Sequence, residues 1–346
     1  MIIFAPHIHT GGGEVLLKSI LENIDFNCTV FVDHRFVLPL NLKKNNLNYI
    51  KLKSGLFYRL FAEFELSRLA KKEQNVFCFS NLPPLFKLNA NVTVFFQNNI
   101  LFDEFKNFKF SVATKIKHSI ERLWIAKFVK NADRVIVQTF VVKKYFFKNF
   151  KFDKIVVAPF FDFNDTMATQ AINKTIDFIY IASSDPHKNH LNLFKAWSIL
   201  ASENIRPTLA IAIPANGNIV YTEMLKLIDN GLRIINYKNQ THLNILQLYQ
   251  SARCLIFTSY TESLGLPVIE AIKSGLDLIS SNLDYIYEIV EKPLLSFDPN
   301  SPELIAQAVK DYLILDQAQI QKPILKIKIL TSKEFIQKFL IQTEIL

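Results

Sequence analysis

The strongest constraint on the fold is an alternation of short apolar runs with longer segments of helical periodicity. In the first half the strand-like runs are residues 1–5, 28–32, 76–79, 92–96, 134–137 and 155–157. Helical stretches at 57–71, 112–130 and 140–148 separate several of them. Parallel strands need crossover connections, which are usually helices, so the pattern predicts an α/β fold with helices covering a parallel sheet.

The pattern is interrupted once and then restarts. Ala158-Pro159 and the polar stretch 164–170 read as a linker, and strand-like runs resume at 176–181, 207–213, 231–235, 253–257, 277–280 and 294–297. A chain of 346 residues with 50% hydrophobic content can fill two cores. We therefore predict a first domain at 1–163, a second at 173–330 and a final helical segment at 331–346.

Two carboxylates stand eight positions apart in the stretch 258–270, which follows a buried strand and opens a helix. Pro267 suits the first helical turn, so the helix should begin near Leu266 and present its first amides after Gly265. Such a helix end attracts phosphate oxygens. Glu262 and Glu270 on either side of it suggest recognition of hydroxyl groups, which makes this stretch a candidate ligand site at the carboxyl edge of a sheet.

The run Glu262-Ser263-Leu264-Gly265-Leu266-Pro267, with Glu270, resembles the E-x7-E element of retaining nucleotide-sugar glycosyltransferases of family 4. The segments 248–252, Gly275-Leu276 and Asp298-Pro299 also fall in that family's order. The resemblance implies the GT-B fold, in which two Rossmann-like parallel-sheet domains face a cleft and a C-terminal helix crosses back to the first domain.

The same resemblance implies roles for these residues. Glu262 would bind donor-sugar hydroxyls and position the anomeric carbon, while Glu270 would bind the ribose. Ser263, Leu264, Gly265 and Leu266 would line the donor between them.

Lys188-Asn189 resembles the end of the family's G-R-x-x-x-x-K-[GN] segment and is expected to bind the donor diphosphate, with Lys188 as a catalytic cation. Ser183 stands where that segment has arginine, so the hydroxyl of Ser183 or Ser184, helix amides or His187 would have to supply the missing interaction.

The glycine-rich turn after the first strand resembles the family's GGGE loop, which places Gly12 and Gly13 near the diphosphate. Its spacing differs from G-x-G-x-x-G, so we expect no nicotinamide or flavin site.

Three further residues are donor candidates from their places after strands. Pro214 ends a strand at the edge where relatives contact the donor. Gln97 or Asn98 occupies a position where many relatives have a histidine that contacts the sugar, and a plain loop cap is the competing interpretation. No D-x-D motif is evident, so neither a metal nor another cofactor is expected beyond the nucleotide sugar itself.

Charge is divided unevenly along the chain. Residues 1–160 carry 24 Lys+Arg and 12 Asp+Glu, and the rest carry 16 and 19, so +12 and −3 give the total of +9. Basic residues alternate with aromatic ones at 102–130, which fits either an anionic membrane surface or a helix that buries its aromatic stripe. No recognition motif accompanies the charge, so we expect no nucleic-acid partner.

Widely spaced cysteines and the absence of a leader or an 18-residue apolar run predict a cytoplasmic protein, peripheral on the membrane if the basic segment docks there.

The sequence thus predicts a retaining glycosyltransferase that moves a hexose from a GDP- or UDP-sugar to a hydroxyl of a lipid-linked glycan. The setting implied by the resemblance is synthesis of a surface polysaccharide such as O-antigen, lipopolysaccharide or capsule. The alternatives are a synthase that makes a soluble sugar product, a binding protein whose site has decayed, as Ser183 suggests, and a glycosidase that uses Glu262 and Glu270 as acid and nucleophile.

Overall fold

The computed structural model describes residues 1–71, 74–163, 173–215, 217–238, 240–316 and 320–341. They form two compact units. The first combines Met1–Asn107 and Ser111–Asp162 with the segment that begins at Lys328, and the second combines Phe108–Phe110 with the described residues from Phe163 to Ile327. The predicted linker at 164–170 lies outside the described residues.

The first unit is built on a seven-stranded sheet in the order β3-β2-β1-β4-β5-β6-β7, in which every pairing is parallel. Its strands are β1 (Ile2–Ala5), β2 (Cys28–Asp33), β3 (Leu47–Leu52), β4 (Asn75–Cys78), β5 (Asn91–Phe95), β6 (Arg134–Val137) and β7 (Ile155–Val157). The central strand β1 is buried along its whole length. Helices cover both faces of such a sheet, which explains the continuous apolar runs in the sequence.

Four helices accompany this sheet: α1 (Gly11–Glu22), α2 (Leu56–Leu69), α3 (Val112–Phe128) and α4 (Phe140–Phe150). Two features differ from the sequence prediction. The glycines at 11–13 form the first turn of α1 instead of a loop before it. The edge strand β3 was not predicted, because only Leu47 and Leu52 at its ends are buried and exposed polar residues lie between them.

The second unit has a six-stranded parallel sheet in the order β10-β9-β8-β11-β12-β13. Its strands are β8 (Ile176–Tyr180), β9 (Leu209–Ile211), β10 (Ile234–Asn236), β11 (Ala252–Phe257), β12 (Asp277–Ser281) and β13 (Leu295–Phe297). Its helices are α5 (His190–Ser202), α6 (Ile219–Asp229), α7 (His242–Gln250), α8 (Leu266–Lys273), α9 (Asp284–Ile289) and α10 (Pro302–Ile314). Strand order therefore reverses between β8 and β11, as it does in doubly wound folds.

The last described residues, 328–341, belong to the first unit. Helix α11 (Ser332–Phe335) continues as a π-helix over Ile336–Ile341, and the Phe335 ring packs 4.3 Å from Phe160, measured between centroids. Asp162 accepts from the amide of Ser332 at 2.8 Å and from the hydroxyl of Ser19. Among the described residues, no helix is long and apolar enough to span a bilayer.

The Asp162 contacts should hold the terminal helix in place. Asp162→Ala removes a carboxylate that accepts hydrogen bonds from α1 and α11, each worth about 1 kcal/mol. We expect amide hydrogen exchange in 332–341 to become about five- to thirty-fold faster, with exchange in α5 unchanged. Unaltered exchange in 332–341 would show that the other contacts of the segment, such as the hydrogen bond from Asn75 to the Leu340 carbonyl, hold it without Asp162.

Candidate functional site

The loop after β8 holds Lys188 in a fixed backbone position. Lys188 ends a 3-10 turn, Pro186–Lys188, and Asn189 follows with φ of 60° at the start of α5. The Lys188 carbonyl accepts from the Tyr180 hydroxyl at 2.7 Å and from the Thr258 hydroxyl at 3.1 Å. Asn189 is buried and donates through its side chain to the Pro299 carbonyl at 2.7 Å. Its side-chain amide nitrogen therefore supports the loop, whereas the sequence suggested that Asn189 contacts the nucleotide-sugar donor.

Lys188 and Glu262 are in direct contact. The Lys188 Nζ lies 2.7 Å from Oε1 and 2.9 Å from Oε2 of Glu262, and the two side chains are 16% and 11% exposed. Glu262 lies on the loop after β11, the strand that pairs with β8. Carboxyl ends of adjacent parallel strands meet at one edge of a sheet, so strand pairing brings together residues 74 positions apart.

Helix α8 begins at Leu266, as predicted, and Gly265 precedes it with φ of 71°. The positive φ favours glycine, and a Cβ atom at Gly265 would lie 2.8 Å from Cδ1 of Ile289, so a larger residue would force the end of that buried side chain to move. The amides are fewer than the sequence suggested. Pro267 has no N–H, and the Val268 amide donates to the Gly265 carbonyl at 2.9 Å. The helix end therefore offers a smaller anion-binding surface than three consecutive amides would.

Glu270 is buried in α8 and has a partner that the sequence did not predict. His242 Nε2, at the start of α7, lies 2.7 Å from Oε1 of Glu270. This hydrogen bond raises the pKa of His242 above its ordinary value, and partial burial opposes the rise. The two residues are 28 positions apart on different helices, so no local sequence signal linked them.

The remaining residues of the second unit that were predicted to bind the nucleotide sugar differ in their free hydrogen-bonding groups and in their exposure. The Ser183 hydroxyl donates to Asp185 at 2.7 Å, so that proton is not available to a phosphate. The Ser184 oxygen instead accepts from Asn218 at 2.6 Å and keeps its own proton to donate. Leu264 is 1% exposed and belongs to the core, while Ser263 and Leu266 are half-buried and Pro214 is exposed.

The candidate residues of the first unit lie at the carboxyl edge of its sheet. A Cβ atom on Gly13 would lie 3.9 Å from Oε1 of Gln97, which places these two residues together, with Gly12 beside them in α1. Asn98 accepts from the Ile100 amide at 3.3 Å and caps a 3-10 turn, the role of a plain loop cap.

Three polar side chains follow β4, β5 and β6 in turn and share an unusual property. In the described part of the chain, buried polar atoms of Ser80, Gln97 and Gln138 lack a hydrogen-bond partner. Buried polar groups are nearly always satisfied, so a row of unsatisfied ones marks this edge as a second candidate ligand surface. The sequence analysis did not single out Gln138.

Similar solved structures define the class of fold. Over 90% of this chain and 89% of the other, the structure resembles HepE of Anabaena, solved in complex with UDP and glucose, with a TM-score of 0.65 at 15% identity. A glycosyltransferase from Rickettsia africae aligns over 90% of this chain and 86% of its own, with a TM-score of 0.63 at 19% identity. Two Rossmann-like units with this strand order confirm the predicted GT-B fold class.

Residues 162–322, which lie largely in the second unit, match the family described as glycosyl transferases group 1. O-antigen chain mannosyltransferase B of Escherichia coli is 27% identical over 133 residues, 37% of this chain and 34% of the relative. O-antigen chain mannosyltransferase RfbU of Salmonella typhimurium is 24% identical over 189 residues, 53% of this chain and 52% of the relative. The matches therefore span a third to a half of these relatives' lengths.

Gly265 and Gly275 provide a matched pair for testing the loop before α8. Both have positive φ, but a Cβ on Gly275 would meet nothing within 4 Å. Gly275→Ala should lower the free energy of unfolding by about 1 kcal/mol through backbone strain alone. Gly265→Ala should lower it by about 3 kcal/mol, because the clash with Ile289 adds to the strain. Equal losses in urea denaturation would contradict the predicted clash.

The pair of His242 and Glu270 should make stability depend on pH. The folded-state pKa of His242 lies above the ordinary 6.5, so the folded protein binds this proton more tightly than the unfolded chain. The resulting stabilisation is complete below the unfolded-state pKa and is lost as pH rises through the folded-state pKa. The stability difference between wild type and His242→Asn should therefore be largest near about pH 5.5 and shrink towards about pH 9. A constant difference would exclude this linkage.

Proposed function

We propose that this protein is a retaining glycosyltransferase that transfers a hexose from a nucleoside-diphosphate sugar to a hydroxyl of a glycan. The observation that carries the proposal is the contact between Lys188 and Glu262 beside the α8 start. In the donor, a diphosphate and a sugar are joined through one oxygen. A site for it needs a cation and a hydroxyl acceptor a few ångströms apart, and these two side chains meet that requirement.

The chemical demand on such an enzyme is the negative charge that develops on the departing diphosphate. Fixed cations and amides aimed at that charge stabilise the transition state without further reorganisation. Lys188 supplies the cation, and the Leu266 amide and Ser184 hydroxyl supply donors. Glu262 accepts from sugar hydroxyls and orients the anomeric carbon, and Glu270, oriented by His242, accepts from the ribose. These are positioning roles.

The same residues favour transfer over glycoside hydrolysis. A glycosidase needs one carboxylic acid to protonate the leaving group and a second carboxylate as base or nucleophile. Glu262 accepts hydrogen bonds from a lysine, and Glu270 is hydrogen-bonded to a histidine. A carboxylate that is held as a hydrogen-bond acceptor suits hydroxyl recognition better than proton donation.

The names of the relatives guide the choice of sugar donor and glycan acceptor. The two curated relatives are named as O-antigen mannosyltransferases, and HepE binds UDP. We infer a mannose-like hexose on GDP or UDP as donor and a lipid-linked glycan of a surface polysaccharide as acceptor. In this proposal the polar edge of the first unit, with Ser80, Gln97 and Gln138, binds the acceptor. In this proposal no metal takes part, because the Lys188 cation and the partial positive charge of the Leu266 amide face the diphosphate.

Comparing Lys188→Ala with Lys310→Ala should distinguish a loss of catalysis from the structural effect of removing a paired lysine. Lys310 makes an ion pair of similar geometry with Glu203, with Nζ to oxygen distances of 2.9 and 3.2 Å, on the surface of the same unit. We expect Lys188→Ala to lower kcat/KM about 10²- to 10³-fold, since it removes a charge aimed at the leaving group. Lys310→Ala should retain wild-type transfer. Rates are measured with the nucleotide sugar that raises the thermal midpoint of the wild type most.

The outcomes of this assay distinguish the alternatives. Donor binding without transfer to any lipid-linked or soluble glycan would indicate a binding protein with a decayed site. Robust transfer to a small soluble sugar would indicate a soluble-product synthase. Nucleotide-independent cleavage of a glycoside would revive the glycosidase. Loss of transfer with EDTA, restored by a divalent ion, would refute the metal-free mechanism.

A further inference from the structure

Helix α2 combines a buried ion pair with an exposed apolar face. Its inward face carries the ion pair of Arg59 and Glu63, which are 5% and 1% exposed, with Nη2 2.5 Å from Oε1. Its outward face carries four large apolar side chains: Phe57 (75% exposed), Leu60 (44%), Phe61 (50%) and Phe64 (62%). Spacings of three and four residues place these four on one side of the helix.

Helix α3 also has an exposed apolar face. Its buried residue is Ile125, whereas Val112, Ile116, Ile120 and Leu123 are 75%, 56%, 56% and 71% exposed. The spacing again places the exposed residues on one face. Removing an aliphatic side chain from water is favourable, so a partner that covered these exposed faces would be stabilised by burying them.

The two outward faces belong to one surface. The Arg59 guanidinium on α2 lies 5.4 Å from the ring of Trp124 on α3, measured to the centroid, and 4.8 Å from that of Phe4 in β1. Ala62 of α2 and Ile125 of α3 pack into the same hydrophobic core. Both helices therefore cover the same side of the sheet and turn their other faces away from it. We call the eight exposed apolar residues the α2–α3 surface.

Cations accompany this surface. Lys53 precedes α2, Lys115, Lys117 and Lys127 lie on α3, and Lys130 follows it, all exposed. The Lys117 side chain is 71% exposed although it approaches Glu121 at 3.8 Å. An apolar helical face bordered by lysines matches the boundary between acyl chains and anionic headgroups, where basic residues are attracted to the negative surface potential.

We propose that the α2–α3 surface docks the first unit on an anionic lipid bilayer. A second copy is a poorer occupant, because an isologous contact would bring the same lysines of both copies together. The sequence had suggested docking through residues 102–130, but Trp124 and Phe128 of that stretch are half-buried. The structure replaces them with aliphatic residues of α3 and adds α2. The proposal concerns the first unit and does not depend on the transfer reaction.

Vesicle flotation tests the proposal directly. Wild-type protein should float with vesicles of phosphatidylcholine and phosphatidylglycerol, and float less at high salt and with pure phosphatidylcholine. Phe57→Ser with Phe61→Ser, and separately Ile116→Ser with Ile120→Ser, should each weaken binding at least about ten-fold. The matched control is Leu40→Ser with Ile314→Ser, whose residues are 83% and 84% exposed outside the surface and should leave binding unchanged.

Two results would overturn the proposal. The first is a failure of the flotation pattern: the wild-type protein does not bind anionic vesicles, or the surface variants bind them as well as the control does. The other is a wild-type dimer that the surface variants convert to a monomer, because the surface would then contact a second copy. Unchanged thermal midpoints confirm folding of the variants, since the altered residues are exposed. Lys188→Ala should still bind vesicles, so failure of the catalytic proposal and failure of this one remain separate.

Discussion

The contact between Lys188 and Glu262 is the interaction on which the functional account depends. It exists because β8 and β11 are neighbours in a parallel sheet, so that the loops leaving them emerge side by side. Buried hydroxyls keep both loops in place. The Tyr180 hydroxyl donates to the Lys188 carbonyl, and the Tyr285 hydroxyl donates to the Ser259 carbonyl at 2.7 Å. The charged groups are largely desolvated, so their interaction with each other or with a ligand is stronger than it would be in water.

The sequence predicted the architecture well because parallel sheets leave a strong local signal. Strands buried on both faces are continuous apolar runs, and the glycine and proline around Leu266 correctly indicated where α8 begins. The edge strand β3 was missed because a half-exposed strand with Asn48 and Lys51 looks like a polar loop. Its pairing with β2 is a tertiary interaction that no short window of sequence contains.

The site was predicted in part, and the gaps have physical causes. The family resemblance singled out Lys188 and Glu262 as candidates, but motifs do not reveal where a side chain points. Asn189 adopts a left-handed conformation and turns its amide towards main-chain carbonyls. His242 reaches Glu270 from another helix, and the unsatisfied Ser80, Gln97 and Gln138 share an edge only after the sheet has formed. The buried ion pair of α2 also needed the structure, because Arg59 and Glu63 look like surface residues until their burial is known.

The most direct test of the central claim is a crystal structure of the protein with an unreactive nucleoside-diphosphate sugar. The account predicts Lys188 Nζ within hydrogen-bond distance of a diphosphate oxygen, Glu262 accepting from the sugar hydroxyls, and Glu270 accepting from the ribose. A diphosphate bound elsewhere, with the ion pair of Lys188 and Glu262 intact beside it, would contradict the account.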